Sequence, residues 1–348
     1  MVITKRGREW LWMTTGVHRR RDIAYLAVGN KKEMLMETVI FQKETYRAMP
    51  CVATIGCFDG VHRGHRFLIE RVMEGARRLG RGAMVVTFDR HPRTVVTADC
   101  PGLLTTMGEK LRLLEQTGID RCVVMPFDRE MAMMGAEVFM QRILRGQLGV
   151  EQLIMGYDNR FGRRSEGATD DYVMMGERMG LKVTREEPLM VKGVKVSSSV
   201  VRALLSEGEV AMAAHCLGYH YRMCGRVVHG EHIGSRLGFP TANMLPIDDG
   251  KMWPARGVYA VDVWVDGVER RLQGLCNIGV RPTFGGQHVT LETHLLDFEG
   301  EIYDRMMTVA FVDRLRGEQR FRTTNELVKQ MERDRMAAHV VFERKNND

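Results

Sequence analysis

Two histidines three residues apart, His62 and His65, stand in the stretch Ala53-Thr-Ile-Gly-Cys-Phe-Asp-Gly-Val-His-Arg-Gly-His65. Imidazole N–H groups held at a helix entrance can donate to phosphate oxygens, whose charge grows as a phosphoryl bond breaks. The elements needed to hold them are legible around the pair. Val52 to Ile55 is an apolar run that reads as a short buried strand. Gly56, Gly60 and Gly64 punctuate the loop after it, and a helical pattern begins near His65. Glycines let a backbone pass close to a bulky ligand, and a helix start offers unpaired N–H groups and a positive dipole end. Gly-Lys-Ser/Thr is missing, which excludes a Walker A loop, and the glycine spacing is not that of a dinucleotide loop.

What remains is nucleotidyl transfer of the His-x-Gly-His kind. A chance pair, or two metal ligands on a helix face, is the plainer alternative, and the adjoining Gly-x-Phe-Asp-Gly-Val weighs against it. Other segments offer matching chemistry. Thr87-Phe-Asp-Arg-His-Pro92 and Gly156-Tyr-Asp-Asn-Arg-Phe-Gly162 each follow a strand-like run, and the second sets Arg160 among glycines; either is otherwise a plain loop. Val196-Ser-Ser-Ser-Val-Val-Arg202 reads as a helix start whose hydroxyls and N–H groups could hold phosphate, with Arg202 about one turn on; serines there also serve simply as caps. Further along, Gly234-Ser-Arg-Leu-Gly-Phe-Pro-Thr-Ala-Asn243 places Thr241 and Asn243 two apart, oxygen-bearing side chains able to face a magnesium ion or phosphate. In Val289-Thr-Leu-Glu-Thr-His-Leu295, alternation puts Val289, Leu291 and Leu295 on the core face and Thr290, Glu292 and His294 on the other. Glu292 is either an ordinary solvent-face glutamate or a general base at a barrel mouth, taking a proton from a hydroxyl that attacks phosphate.

The 348 residues suffice for two domains with full cores, and 44% apolar content is ordinary for a globular protein. No apolar segment approaches the roughly 20 residues needed to span a bilayer, and no signal-peptide core follows the basic N-terminus, so a cytoplasmic protein without membrane contact is expected. Seven scattered cysteines with no Cys-x-x-Cys argue for reduced thiols, against both a disulfide framework and a standard zinc site. A net charge of +7 favours anionic partners. No nucleic-acid motif accompanies it, so nucleotides are the expected partners and nucleic acid is not.

Residues 1–36 form a basic, weakly patterned lead in which Ile23 to Val28 is a candidate strand. Met34 and Met36 sit directly before the strand-like Thr38-Val-Ile-Phe41, which suggests a native start there. From 52 to about 185, strands and helices alternate. Leu68, Val72, Ala76 and Leu79 mark a helix ending at Gly80, and Ala83 to Phe88 a strand. Leu111 and Leu114 then mark a helix stopped by Gly118, Cys122 to Met125 a strand, Val138, Phe139 and Ile143 a helix, and Leu153 to Met155 a strand. Such alternation implies a Rossmann-like parallel sheet covered on both faces, with ligands at the carboxyl ends of strands. Val210 to Leu217 reads as a short connecting helix. Beyond Gly225 the signals become antiparallel: Val227 to His229, Val258 to Val265, the Asp266-Gly267 turn, Leu272 to Ile278, Val289 to Leu296 and Met307 to Val312, a barrel pattern closed by a helix carrying Leu327, Met331, Met336, Val340 and Val341.

Taken in order, these segments resemble the bacterial bifunctional riboflavin kinase/FAD synthetase family. The motifs are Gly56-x-Phe-Asp-Gly-Val-His-x-Gly-His65, Thr87-Phe-x-x-His-Pro92, Gly156-Tyr-Asp-x-Arg-Phe-Gly162, Ser197-Ser-Ser-x-x-Arg202 and Gly225-x-Val-Val-His-Gly230. They continue with Gly238-Phe-Pro-Thr-Ala-Asn243, Asn277-Ile-Gly-x-Arg-Pro-Thr-Phe284, Leu291-Glu-x-His-x-Leu-Asp-Phe298, and Leu315-Arg316 with Phe321. The resemblance implies a lead over 1–36, an α/β FMN adenylyltransferase domain over 37–205, a connection over 206–222 and a mainly antiparallel β-barrel riboflavin kinase domain over 223–348. It implies a barrel that transfers the γ-phosphoryl of ATP to riboflavin, and an N-terminal domain that joins FMN to the AMP part of a second ATP, giving FAD and pyrophosphate. By the same resemblance Glu292 is the kinase base. Thr241 and Asn243 hold Mg2+ with ATP, and Gly234, Gly238, Pro240, Asn277 and Arg316 complete that site. His62 and His65 stabilise the phosphates of the other site, with Gly56, Phe58, Asp59, Gly64, Arg160, Ser198, Ser199 and Arg202 around the nucleotide. A homo-oligomer is left open. Departures cluster in the synthetase half: Cys57 for the family's common Asn, Asp89-Arg90 for Glu-Pro, and Asn159 for Phe, with Tyr219-His220 for Arg-Pro between domains. They raise a flavokinase with a weakened synthetase as the first alternative. Other His-x-Gly-His nucleotidyltransferases and aminoacyl-tRNA synthetases leave the second half unexplained. A nucleic-acid- or flavin-binding protein without turnover leaves the histidine pair and Glu292 without a role.

Overall fold

A computed structural model describes residues 5–6, 9–10, 36–42, 46–97, 101–163, 171–230, 234, 237–283 and 286–347. The candidate strand Ile23 to Val28, like most of the basic lead, lies outside the described residues. The chain divides into two compact units, Met1–Val196 and Ser197–Asp348.

In the first unit a two-residue pair, β1 (Lys5–Arg6) and β2 (Glu9–Trp10), is followed by β3 (Glu37–Ile40), β4 (Cys51–Ile55) and α1 (Arg63–Leu79). Next come β5 (Gly82–Phe88), α2 (Arg93–Val96), α3 (Met107–Glu115), β6 (Arg121–Met125), α4 (Arg129–Met133) and α5 (Ala136–Val138), which continues as a π-helical stretch over Phe139–Gln147. The unit ends with β7 (Val150–Met155), α6 (Tyr172–Met179), β8 (Lys182–Arg185) and the small hairpin of β9 (Met190–Val191) and β10 (Val194–Lys195). Six strands form one parallel sheet in the order β3-β6-β5-β4-β7-β8. Every residue of β4 is buried, as a parallel sheet covered on both faces requires. Side chains alternate between two cores: Val52, Val85, Cys122 and Ile154 pack with Ile69, Val72 and Leu114 on one side, and Ala53, Val86, Val123 and Leu153 with Phe139, Ile143 and Tyr172 on the other.

The apolar stripe of α1 is Leu68, Ile69, Val72 and Ala76. Leu79, expected on it, is exposed, next to Gly80, whose left-handed φ of 62° ends the helix. From β4 the chain steps outward to β5 and β6, then crosses back to lay β7 against the opposite side of β4. The carboxyl ends of β4 and β7 therefore flank the point where the winding reverses, where open parallel sheets bind ligands.

The second unit contains α7 (Ser198–Glu207), α8 (Val210–Leu217), β11 (Arg222–Val228), β12 (Thr241–Pro246), β13 (Gly257–Val265), β14 (Leu272–Thr283), β15 (Gly286–Leu295), β16 (Met306–Arg316) and α9 (Thr324–Asn347). Although the sequence suggested a boundary at residue 205, α7 is tied to this unit. Ala255 N–H donates to the Leu205 carbonyl at 2.8 Å, and the Arg314 guanidinium donates to the carbonyls of Glu207 and Arg256 at 2.9 and 2.7 Å. The six strands close into an antiparallel barrel, β11-β12-β15-β14-β13-β16. Tyr259, Val261, Val263, Met307, Val309 and Phe311 are fully enclosed. Ala338 and Phe342 of α9 pack against Val258, Ala260, Leu275 and Val312 of the barrel wall.

Three details differ from expectation. Met336 and Val340 of α9 are exposed, and the helix buries Asp334, Ala338 and Phe342 instead; a charged residue on the buried side hid that face from an apolar pattern. In β15, Leu291 and Leu295 are buried as expected, but Val289 is exposed and Thr293 takes an inward position. The stretch read as a glycine loop up to Asn243 becomes strand at Thr241.

Candidate active sites

The loop after β4 turns through left-handed backbone: φ is 48° at Phe58, 81° at Gly60 and 34° at Val61. Non-glycine residues in that region cost of order 1–3 kcal/mol each and persist only where the surroundings fix them. Asp59 does the fixing. Its buried carboxylate accepts from the N–H groups of Leu104 and Thr105 and from the Thr105 hydroxyl at 2.9–3.1 Å, and Thr105 Oγ1 accepts from Gly60 N–H at 3.0 Å. Expected among the nucleotide-binding residues, Asp59 is engaged as the clamp that shapes the loop.

The loop delivers His62 to the N-cap of α1, where Nδ1 accepts from His65 N–H at 3.2 Å. In the neutral ring this puts the proton on Nε2. The His65 ring stacks on that of His62 at 3.6 Å, and Phe58 lies 5.0 Å away on a tilt. Burial, then the fields of His62 and Lys110, hold the His65 imidazole well below its ordinary pKa. Its Nδ1 is enclosed with no hydrogen bond among the described residues. A Cβ at Gly64 would stand 3.2 Å from the His62 ring, so glycine there gives the imidazole room.

Beneath the loop lies a residue that sequence reading missed. Lys110 of α3 is buried, and its ammonium donates to the carbonyls of Cys57 and Phe88 and to Thr87 Oγ1 at 3.1–3.3 Å. Across the switch point, Asn159 donates its side-chain amide to the Ile55 carbonyl at the end of β4. Arg160 follows, exposed on the loop after β7. In the Thr87–Pro92 segment, Asp89 accepts from Phe127 N–H at 2.9 Å and pairs with Arg90 at 3.1 Å.

In the second unit Ser197, not Ser198 or Ser199, caps α7, its hydroxyl accepting from Val200 N–H at 3.3 Å. Ser198 and Ser199 thus occupy the first turn, with Arg202 one turn beyond Ser198 on the same side.

The barrel assembles its site through strand register. Asn243 of β12 and Asn277 of β14 both pair with Glu292 of β15. Asn277 pairs onward with Val258, and Val258 with Arg316 of β16. Paired residues of neighbouring strands point to the same side, so Asn243, Glu292, Asn277, Val258 and Arg316 form one row. Val258 packs with α9, which identifies the outer wall; Glu292 therefore stands on the outside of the barrel wall between two amides. Thr241, one pair along, faces His294, whose Nδ1–H donates to the Pro240 carbonyl at 2.9 Å. Phe239 packs edge-on against His294 at 5.3 Å, after Gly238 with φ of 84°. The carbonyl of Gly234 accepts from the N–H groups of Leu237 and Phe239, both at 2.9 Å. At Gly230 the backbone runs so close to Asn243 that a Cβ would lie 2.1 Å from its amide nitrogen. At the row's far end Arg316 is held by Asp334 of α9 at 2.7 Å.

A strained glycine loop leading two stacked histidines into a helix start, on a parallel sheet, and a carboxylate flanked by amides on a separate barrel define an enzyme with two nucleotide-dependent phosphoryl-transfer sites. The FAD synthetase family model matches residues 44–200 and the riboflavin kinase family model residues 217–342. The chain is 40% identical over 296 residues to the bifunctional riboflavin kinase/FMN adenylyltransferase of Escherichia coli (strain K12), covering 84% of this chain and 93% of that one. Its counterpart of the same name in Bacillus subtilis (strain 168) is 33% identical over 298 residues, covering 84% and 92%. A solved structure from Streptococcus pneumoniae, named a macrolide-efflux protein, superposes with a TM-score of 0.78 at 26% identity, covering 87% of this chain and 98% of that one. The chain belongs to the bacterial bifunctional riboflavin kinase/FMN adenylyltransferase family. Among the described residues no helix is long and apolar enough to cross a membrane.

Proposed function

We propose that the protein carries out both steps of FAD biosynthesis from riboflavin, with the kinase site on the barrel and the adenylyl-transfer site at the His62/His65 helix entrance. The observation that carries this reading is the Asn243–Glu292–Asn277 row in one unit and the stacked histidine pair in the other, each within its own family match.

In the first step Glu292 takes the proton of the ribityl 5′-hydroxyl as its oxygen attacks the γ-phosphorus of ATP, and ADP leaves. Asn243 and Asn277 hold the carboxylate's surroundings polar and orient the reactants. Thr241 and Asn243 fit a magnesium ion that arrives with nucleotide: they offer neutral oxygens, and among the described residues no cluster of three or more His, Cys, Asp or Glu is arranged to hold a metal ion without phosphates. When bound, Mg2+ supplies charge neutralisation of the phosphates. In the second step an FMN phosphate oxygen attacks the α-phosphorus of another ATP, the bond to the β-phosphate oxygen breaks, and pyrophosphate leaves. The N-terminus of α1, His62 Nε2–H and His65 stabilise the growing charge, joined by Arg160. The net positive charge serves anionic small molecules rather than nucleic acid.

The test is chromatographic. Purified protein with riboflavin and Mg-ATP is expected to give FMN, then FAD, and with FMN and Mg-ATP to give FAD. Glu292→Gln keeps the side-chain volume and removes the base, so FMN formation should fall on the order of 10²–10⁴-fold while FAD formation from supplied FMN persists. Loss of both activities in folded protein would refute the separation of sites; FMN without FAD in the parent would leave a flavokinase alone.

A further inference from the structure

Lys110 is a buried cation in the adenylyl-transfer domain to which the mechanism above gives no task. It is 8% exposed, and its three hydrogen bonds match the three donors of an ammonium. The carbonyls of Cys57 and Phe88 can only accept, and Thr87 Oγ1 already donates its own proton to the Cys57 carbonyl at 3.2 Å. Three donations use all three N–H bonds of an ammonium. Burial pushes the ammonium pKa down, opposed by the fields of Cys122, Cys57, Asp59 and Asp89.

None of the three acceptors is a carboxylate, and among the described residues Lys110 makes no ion pair. Asp59 is taken up by Leu104 and Thr105, and Asp89 by Phe127 N–H and Arg90. A buried charge without a counter-ion is costly, and an anion arriving nearby offsets that cost. The place where an anion could arrive is next to it: Lys110 acts on His65 through its field, and it grips the loop at Cys57 that leads to the N-terminus of α1.

We propose that Lys110 is a positioning residue whose fixed buried positive charge, held under the glycine loop by Cys57, Thr87 and Phe88, is matched by the phosphate chain of ATP and by the pyrophosphate released. This rests on the adenylyl-transfer reading of the His62/His65 site. Lys110 ties the ends of β4 and β5 together and makes the same loop more attractive to polyphosphate, without touching the substrate itself.

The experiment is calorimetric titration of pyrophosphate into the full-length protein, Lys110→Met and Lys110→Arg, with differential scanning calorimetry and the flavin assay on each. Lys110→Met should weaken pyrophosphate binding at least tenfold, equivalent to about 1.4 kcal/mol, and slow FAD formation while FMN formation from riboflavin stays at the parent rate. Lys110→Arg, which keeps the charge, should restore binding to within about threefold of the parent. A lysine of merely structural use would lower the melting temperature of Lys110→Met and leave the pyrophosphate affinity of the folded protein unchanged; that result overturns the proposal. Should Lys110→Met fail to fold, the arginine variant decides: affinity reduced as far as in a Lys110→Gln protein refutes a role for the charge. A parent protein that binds pyrophosphate but makes no FAD would instead overturn the adenylyl-transfer reading, and this inference with it.

Discussion

Removing the Asp334 carboxylate should detach α9 from the barrel. Asp334 and Arg316 are largely buried, their side chains 6% and 16% exposed, and meet at 2.7 Å. The Arg316 Nε–H also lies 2.9 and 3.0 Å from the two carboxylate oxygens, and Gln330 donates to Oδ1 at 2.8 Å. Deleting one partner of such a pair leaves the other charge buried and uncompensated, at about 3–5 kcal/mol. The unit that contains the pair runs from Ser197 to Asp348. For domains of that size each kcal/mol moves the melting point roughly 2–4 °C, so Asp334→Ala should melt about 6–20 °C lower. Differential scanning calorimetry measures this directly. Arg316→Met with Asp334→Leu should recover much of the loss, because no charge is then stranded. Since Arg316 closes the register row that contains Glu292, riboflavin phosphorylation should fall even below the melting transition, with FAD formation from FMN preserved. An Asp334→Ala protein that melts within 2 °C of the parent would refute the reasoning, since it would mean the arginine finds other partners or water at little cost.

His65→Ala should lower FAD formation from FMN on the order of 10²–10³-fold while FMN formation persists, read by the same chromatography. His65 also sets an acid limit. Its folded pKa is depressed by burial first and then by His62 and Lys110, so the unfolded chain takes up a proton near pH 6.5 that the folded protein refuses. Its stabilising share is fully present above about pH 6.5 and is lost as pH falls below it; calorimetry from pH 7.5 to 5 should show a steeper decline in the parent than in His65→Gln. Gly230→Ala would push a methyl group to 2.1 Å from the Asn243 amide nitrogen, and the flavin assay should show loss of riboflavin phosphorylation with FAD formation from FMN intact.

Some of this was legible in the chain and some could not be. His62 and His65 announce themselves because both lie within one turn, on a helix start flagged by Gly56, Gly60 and Gly64. The alternation from Val52 to Met155 likewise dictated a parallel sheet, since strands covered on both faces, as β4 is, leave largely apolar runs. Register was invisible: Asn243, Glu292 and Asn277 come from three strands, and only hydrogen-bond pairing aligns them. Lys110 and Asp334 give no signal in the sequence, because burial of a charge is decided by partners distant in sequence, Cys57 and Phe88 for one and Arg316 for the other. The cap of α7 went to Ser197 rather than its neighbours because Ser197 alone keeps extended backbone, with φ of −154°, at the helix entrance.

The two sites differ in composition for a chemical reason. The nucleophile of the adenylyl step is a phosphate oxygen that is already ionised near neutral pH, so that site gains nothing from a base and is served by donors and positive charge. Its loop carboxylate, Asp59, is accordingly directed inward to Leu104 and Thr105. The nucleophile of the kinase step is an alcohol, a weak nucleophile while protonated, and its attack demands a proton acceptor within reach. On the proposed reading Glu292 meets that need, standing in its register row between the amides Asn243 and Asn277. Arg316 is in the same row, yet its charge is matched by Asp334. The Asp334→Ala protein should therefore suffer twice, through the loosened helix and through an unmatched guanidinium left in the row that contains Glu292.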